Sequence, residues 1–367
     1  MSKTTKATTK SGGGILSGLL LLVVGIGILW YNEGRTVKSQ STINEARKNY
    51  TDIKADKIDE KYEGKLVATK GKIDLSEAST LTDSKFGISV KAAKMQRVVE
   101  MYQWQESCET DDNDNKNCSY EKVWDDNLID SSEFEKAGYN NPTVMPYEGE
   151  IYIADNVKLG AFTLPEDLIR TLSYNKKKNS DELASEYKNS VDGVVAVNNY
   201  LTNVKNDSPE IGNVRISYQY LDSETVSVMA VQTGDTFEAF TSKKGNDVYK
   251  IMKGNKTGAQ ILEGMSKTNK TWKWILRFIG VFITISAFST MFSFITNIAS
   301  RIPILGGIVN SATGLIAVIL GISVSLIVIA IAWFRFRPVL SITLIAIVLI
   351  LFICLKMNVF DKLKRKK

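Results

Sequence analysis

With 367 residues, 44% of them hydrophobic, the chain is long enough for membrane spans and a large folded domain together. It contains no histidine, which excludes imidazole bases, His-containing triads and His metal ligands at the outset. The formal net charge of +6 is explained by basic tails meeting anionic lipid and calls for no nucleic-acid partner.

Residues 1–14 carry Lys3, Lys6 and Lys10 and no acid, and read as a basic cytosolic tail. Ile15 to Tyr31, ILSGLLLLVVGIGILWY, has no charge and is long enough to be a short first transmembrane helix. It ends in Trp30, Tyr31, Asn32 and Glu33 rather than in a small-residue cleavage pattern, so it reads as a retained anchor with its aromatics at the headgroup layer.

Residues 32–273 read as one large extracytoplasmic or luminal domain of β-rich α+β class. A polar helix leaves the membrane after Thr36. Strand patterns follow at Lys65 to Ile73, Gly87 to Ser107, Ser119 to Ile129, Glu148 to Leu159 and Asn213 to Gln232, the last with a turn near Asp222. Helical patches fall at Ser132 to Gly138, Pro165 to Leu172 and Asp181 to Asn189. Glu63-Gly64-Lys65 and Glu148-Gly149-Glu150 both open strands, a faint sign of duplication.

Within RVVEMYQWQES, strand alternation puts Val98, Glu100, Tyr102, Trp104 and Glu106 on one face and Val99, Met101, Gln103 and Gln105 on the other. Tyr102 and Trp104 then either cover a sheet face as structural residues or form a partner-binding platform; both readings stand at this point. Cys108 and Cys118 flank ETDDNDNKN in a compartment where disulfides persist, which predicts a bridge closing a hairpin tip. The acidic run fails as an EF-hand: counted from Asp112, the sixth and twelfth positions hold Asn117 and Val123, and counted from Asp111 they hold Lys116 and Lys122.

Three further spans are expected: residues 278–298, 312–334 and 338–355. Arg277 sits at the edge of the first, free to snorkel. Arg301 to Ser311, RIPILGGIVNS, is too short to span and reads as re-entrant or interfacial. Gly306, Gly307, Gly314 and Gly321 suit close helix packing. Residues 356–367 form a second basic cytosolic tail, and four spans place both tails on one side.

NEGR (Asn32 to Arg35), EGKLV (Glu63 to Val67), FGISV (Phe86 to Val90), RVVEMYQWQE (Arg97 to Glu106), GNVRISYQY (Gly212 to Tyr220), TSKKG (Thr241 to Gly245), KTW (Lys270 to Trp272) and FRFRP occur in this order along the chain. The set resembles the transmembrane protein 43 (LUMA) family over nearly the whole length. The resemblance implies a four-span protein with a large luminal domain, endomembrane or inner nuclear envelope placement, oligomeric scaffolding with lamin and emerin partners, and no enzymatic residues. The short Lys/Thr-rich N-terminus, the acidic CETDDNDNKNC loop and the lack of His depart from the family and fit a microbial member.

No catalytic, cofactor-binding or metal-ligating residues are expected. There is no GxxxxGK[ST] or GxGxxG loop, and Cys354 lies in the last span, away from the other two cysteines. The expected function is a non-enzymatic multi-pass scaffold organising membrane or envelope protein assemblies through its outer domain. The alternative is a channel or lipid-handling protein. Its partners would be the lipid bilayer, membrane or envelope proteins and further copies of itself. Its location would be the cell membrane if bacterial, and the endoplasmic reticulum or nuclear envelope if eukaryotic.

Two measurements check the topology. In a chain stripped of its own thiols, Ser84→Cys should react with an impermeant maleimide only from the side opposite to Ser2→Cys and Lys366→Cys. Labelling of all three from one side would refute the arrangement. Non-reducing peptide mapping should recover Cys108 and Cys118 in one linked peptide pair. A bridge of this loop size contributes about 3 kcal/mol in the chain-entropy account.

Overall fold

The computed structural model describes residues 13–110, 116–205, 208–299, 306–339 and 341–343. The N-terminal basic tail, the acidic tip at 111–115, Arg301 to Leu305, most of the fourth expected span and the C-terminal tail lie outside the described residues. The chain divides into two compact units: Met1–Lys48 with Thr241–Asn246 and Leu262–Lys367, and Asn49–Phe240 with Asp247–Ile261.

Among the described residues, the first unit has three helices long and apolar enough to cross a membrane: α1 (Gly13–Asn49), α4 (Gly258–Ala299) and α5 (Gly306–Phe336). At 1.5 Å per residue, α1 is about 56 Å long and α4 about 63 Å, roughly twice a hydrocarbon core. Each therefore continues well beyond its apolar stretch. The polar helix expected after Thr36 is this continuation of α1, and α4 starts at Gly258, 20 residues before the expected span boundary. Gly306 to Ser311 are the opening turns of α5, and the rest of the segment expected to be re-entrant or interfacial lies outside the described residues. Leu16, Leu20, Val23, Phe278, Phe282 and Leu326 point outward and are largely exposed, which apolar side chains tolerate in lipid.

α1 and α4 run antiparallel. A Cβ on Gly18 would come within 2.4 Å of Met291, on Gly25 within 2.7 Å of Thr284, and on Gly280 within 2.7 Å of Leu29. Further along, Asn32 contacts Lys273, Thr36 contacts Asn269 and Gln40 contacts Ser266. The partner numbers fall as the α1 numbers rise, the pattern of a continuous antiparallel seam. Gly321 of α5 packs on Ile285, where a Cβ would approach to 2.6 Å, and Thr284 and Ser325 share a buried hydroxyl hydrogen bond of 2.7 Å. Among the described residues, Gly314 has nothing within 4 Å.

The second unit is β-rich. Its elements are β1 (Leu66–Asp74), β2 (Lys94–Thr110), β3 (Lys116–Asp125), β4 (Glu150–Ile153), β5 (Lys158–Leu159), β6 (Phe162–Thr163), α2 (Glu166–Thr171), α3 (Ser180–Glu186), β7 (Val195–Val197), β8 (Tyr200–Thr202), β9 (Val214–Leu221), β10 (Thr225–Thr233), β11 (Thr236–Glu238) and β12 (Lys250–Lys253). One seven-stranded sheet runs β11-β10-β1-β5-β6, with β12 beside β10 and Thr51–Asp52 beside β1. The other runs β7-β8-β9-β2-β3, with β4 beside β2 and Lys176–Lys177 beside β9. The turn at Asp222 therefore carries the chain from one sheet to the other. β1 and β4, the strands behind the two Glu-Gly openings, likewise belong to different sheets.

One apolar cluster is fed from both sheets: Val67, Ile73, Val226 and Val228 from the first, Met95, Val99, Ile216 and Tyr218 from the second. The expected helical patches at Pro165 and Asp181 are α2 and α3, the latter opened by an Asn179–Glu182 capping box. At Ser132 only a single 3-10 turn forms, Ser131–Glu133.

Inside this core lies a charged knot. Arg97 of β2 donates through Nη1 to Asp83 Oδ2 at 2.6 Å, and the Tyr218 hydroxyl donates to the same oxygen at 2.7 Å. Arg97 Nη2 reaches Glu150 Oε2 at 3.0 Å, and Tyr152 donates to Glu150. Burial, followed by the adjacent Asp83 carboxylate, pushes the Tyr218 phenol far above its usual range, and burial with the Glu150 contact does the same to Tyr152. The side chain of Asp83 is 1% exposed and that of Glu150 53%, so the two ion pairs are unequal. Asp83→Ala should destabilise the full chain by about 3–5 kcal/mol, because Arg97 and Tyr218 lose their buried partner. Glu150→Gln should cost less than about 1 kcal/mol. Denaturant melts of both variants in detergent check this, and equal losses would refute the ranking.

Candidate functional site: a buried carboxylate and an outer aromatic plate

The first site belongs to the helical unit. Leu29, Asn32, Glu33 and Thr36 recur at helical spacing on one side of α1, and all four are at most 4% exposed. The apolar run delivers Glu33 to this seam just where the span ends. A carboxylate there survives only if fully paired. Arg277 of α4 donates through Nε to Glu33 Oε1 at 2.7 Å, and Trp333 of α5 donates through Nε1 to Oε2 at 2.9 Å. One side chain thus ties three helices. Asn32 donates to the Lys273 carbonyl at 2.9 Å, and Arg35 reaches Asn269 at 3.3 Å.

Two sequence readings change here. Arg277 does not snorkel; its side chain is 11% exposed and turns inward to Glu33. Glu33, read only as the end of a span, is its central acceptor. The signal available in sequence was the order Glu33, Arg277, Trp333, one polar residue at the same end of each span.

The second site lies on the β2–β3 ribbon. Met101 and Gln103 are buried, whereas Tyr102 and Trp104 are half-buried on the opposite face. These two are therefore not part of the main core. Register pairs Tyr102 with Trp124, Trp104 with Lys122 and Glu106 with Tyr120. The Tyr102 and Trp124 rings lie 5.0 Å apart, Trp104 meets Tyr139 edge-on at 4.9 Å, and Tyr139 stacks on Tyr120 at 3.9 Å. Cations cover three rings: Arg215 over Trp124 at 4.7 Å, Lys122 over Trp104 at 5.0 Å and Lys136 over Tyr120 at 5.8 Å. Asn141 replaces a neighbouring strand, accepting from Trp104 N at 2.7 Å and donating to Trp104 O at 2.9 Å. Tyr120 and Trp124 were legible from alternation along SYEKVWD. Tyr139 and Asn141 come from a loop and were not.

Further along the ribbon Cys108 and Cys118 oppose each other in register and are joined as a disulfide. Glu106 lies close enough to both sulfurs to complete a three-ligand set. In the bridged form those sulfurs are not thiolates, and the Glu106 carboxylate accepts from Tyr120, which holds its pKa below the usual range.

A family model described as Transmembrane protein 43 matches residues 101–338, from the aromatic ribbon to the end of α5. The Drosophila melanogaster Transmembrane protein 43 homolog is 26% identical over 349 residues, covering 89% of each chain. Human Transmembrane protein 43 is 25% identical over 364 residues, 93% of this chain and 89% of the relative. The mouse protein is 26% identical over 352 residues, 90% and 86% of the two chains. No solved structure matches. With the family model spanning well over half of its length, the chain belongs to the Transmembrane protein 43 family of membrane proteins.

Proposed function

We propose that the chain is a non-enzymatic multi-pass membrane scaffold whose β-rich unit recruits protein partners. The observation that carries this reading is the saturation of Glu33. Both carboxylate oxygens are taken, by an arginine and an indole from two other helices, beside a glycine-packed seam. A conduction or transport path keeps ionisable groups available to water or cargo. A carboxylate used up as an interhelical pin suits an anchor. The β2–β3 plate supplies what an anchor needs to hold something: rigid half-buried aromatics beside Arg and Lys, the composition that dominates protein interfaces.

In this reading the β-rich unit lies on the extracytoplasmic or luminal side, a fourth span follows Arg337, and self-association accompanies partner binding. Cross-linking of the full chain in native membranes should concentrate protein–protein links at Lys122 and Lys136, beside the plate. Trp104→Ala should reduce those links at least about fivefold while costing only about 1–2 kcal/mol of stability, since it removes one edge-on ring contact and one cation–π contact and no core residue. Proteoliposomes bearing the chain should pass ions no faster than empty ones. Flux above that background, or links unchanged in Trp104→Ala, would defeat the scaffold reading.

A further inference from the structure

The helical unit contains a cavity of about 840 Å3 between the polar stretches of α1 and α4. Five cations line it, Arg47, Lys267, Lys270, Lys273 and Arg337, against one acid, Glu263. None of the five makes an ion pair among the described residues. The remaining wall is hydrogen-bonding: Gln40, Ser41, Asn44 and Ser266 among others. Thr36 also lines it and is 4% exposed, with its hydroxyl oxygen enclosed and unpartnered among the described residues.

We propose that this cavity binds the phosphate headgroup of an anionic phospholipid. The charge balance selects an anion, and the volume suits a headgroup. Position selects a lipid over a soluble phosphate. Trp272 and Trp274, 51% and 52% exposed, mark the headgroup level on α4. Lys270, Trp274, Phe278 and Phe282 follow one another at four-residue steps on one side of the helix, and both phenylalanines are 70% exposed. The basic wall thus runs directly into an apolar stripe able to receive acyl chains. This inference is independent of the scaffold reading, because neither the aromatic plate nor Glu33, Arg277 or Trp333 lines the cavity.

Native mass spectrometry of the full chain in mild detergent, with phosphatidylglycerol, phosphatidylcholine or inorganic phosphate added, tests it. Phosphatidylglycerol should be retained in preference to phosphatidylcholine, and inorganic phosphate should not displace it. Lys267→Gln with Lys270→Gln, both exposed positions, should weaken retention at least about tenfold with an unchanged melting temperature. Equal retention of the two lipids would overturn the proposal, as would wild-type retention in the double lysine variant. Displacement of the lipid by inorganic phosphate would reassign the cavity to a soluble anion and equally overturn it.

Discussion

Burying one carboxylate at the membrane boundary constrains the whole helical unit. Glu33 cannot stay in the seam between α1 and α4 unless its charge is compensated, because isolated ions in low dielectric cost several kcal/mol even after relaxation. Arg277 and Trp333 supply that compensation from two different helices, which sets the rotation of α4 and α5 about α1. Glycines at 18, 25 and 280 then have a defined role. They let the backbones approach closely enough for a short ion pair to form, where larger side chains would hold the helices apart.

The β-rich unit uses the same device in a different solvent. Asp83, Arg97 and Tyr218 put a charged pair and a phenol within an apolar cluster, and each is paired with the others. Removing one member of such a knot, or shifting the register of its strand, leaves a buried charge alone, which is costly. A one-residue slip of β2 would put Arg97 on the outer face and Tyr102 inside. The knot therefore also sets which face carries the aromatic plate.

Several short stretches that pointed to the family turn out to hold these contacts. NEGR supplies the buried pin, RVVEMYQWQE holds both Arg97 and the plate, and GNVRISYQY contributes Tyr218. TSKKG packs within the helical unit, where Ser242 and Thr42 share a hydrogen bond of 2.8 Å and the Lys243 amide reaches Glu45. These are long-range contacts between segments up to 300 residues apart, which single-motif reasoning does not register.

The sequence alone was enough for the membrane class, the β-rich domain between the first two spans, and most strand positions, because hydrophobic runs and two-residue alternation act locally. Alternation also sorted Tyr102 and Trp104 onto one face of their strand. It could not say which face met the core, since both carry apolar residues and the choice rests on what packs from the other sheet. Helix continuity was equally hidden. α1 and α4 pass from lipid-facing to polar sequence without a break, held by each other and not by their own propensity. The inward turn of Arg277 was the least legible feature. An arginine at a span end lowers its energy by reaching water or by meeting a carboxylate, and only the tertiary arrangement brings Glu33 within 2.7 Å of it.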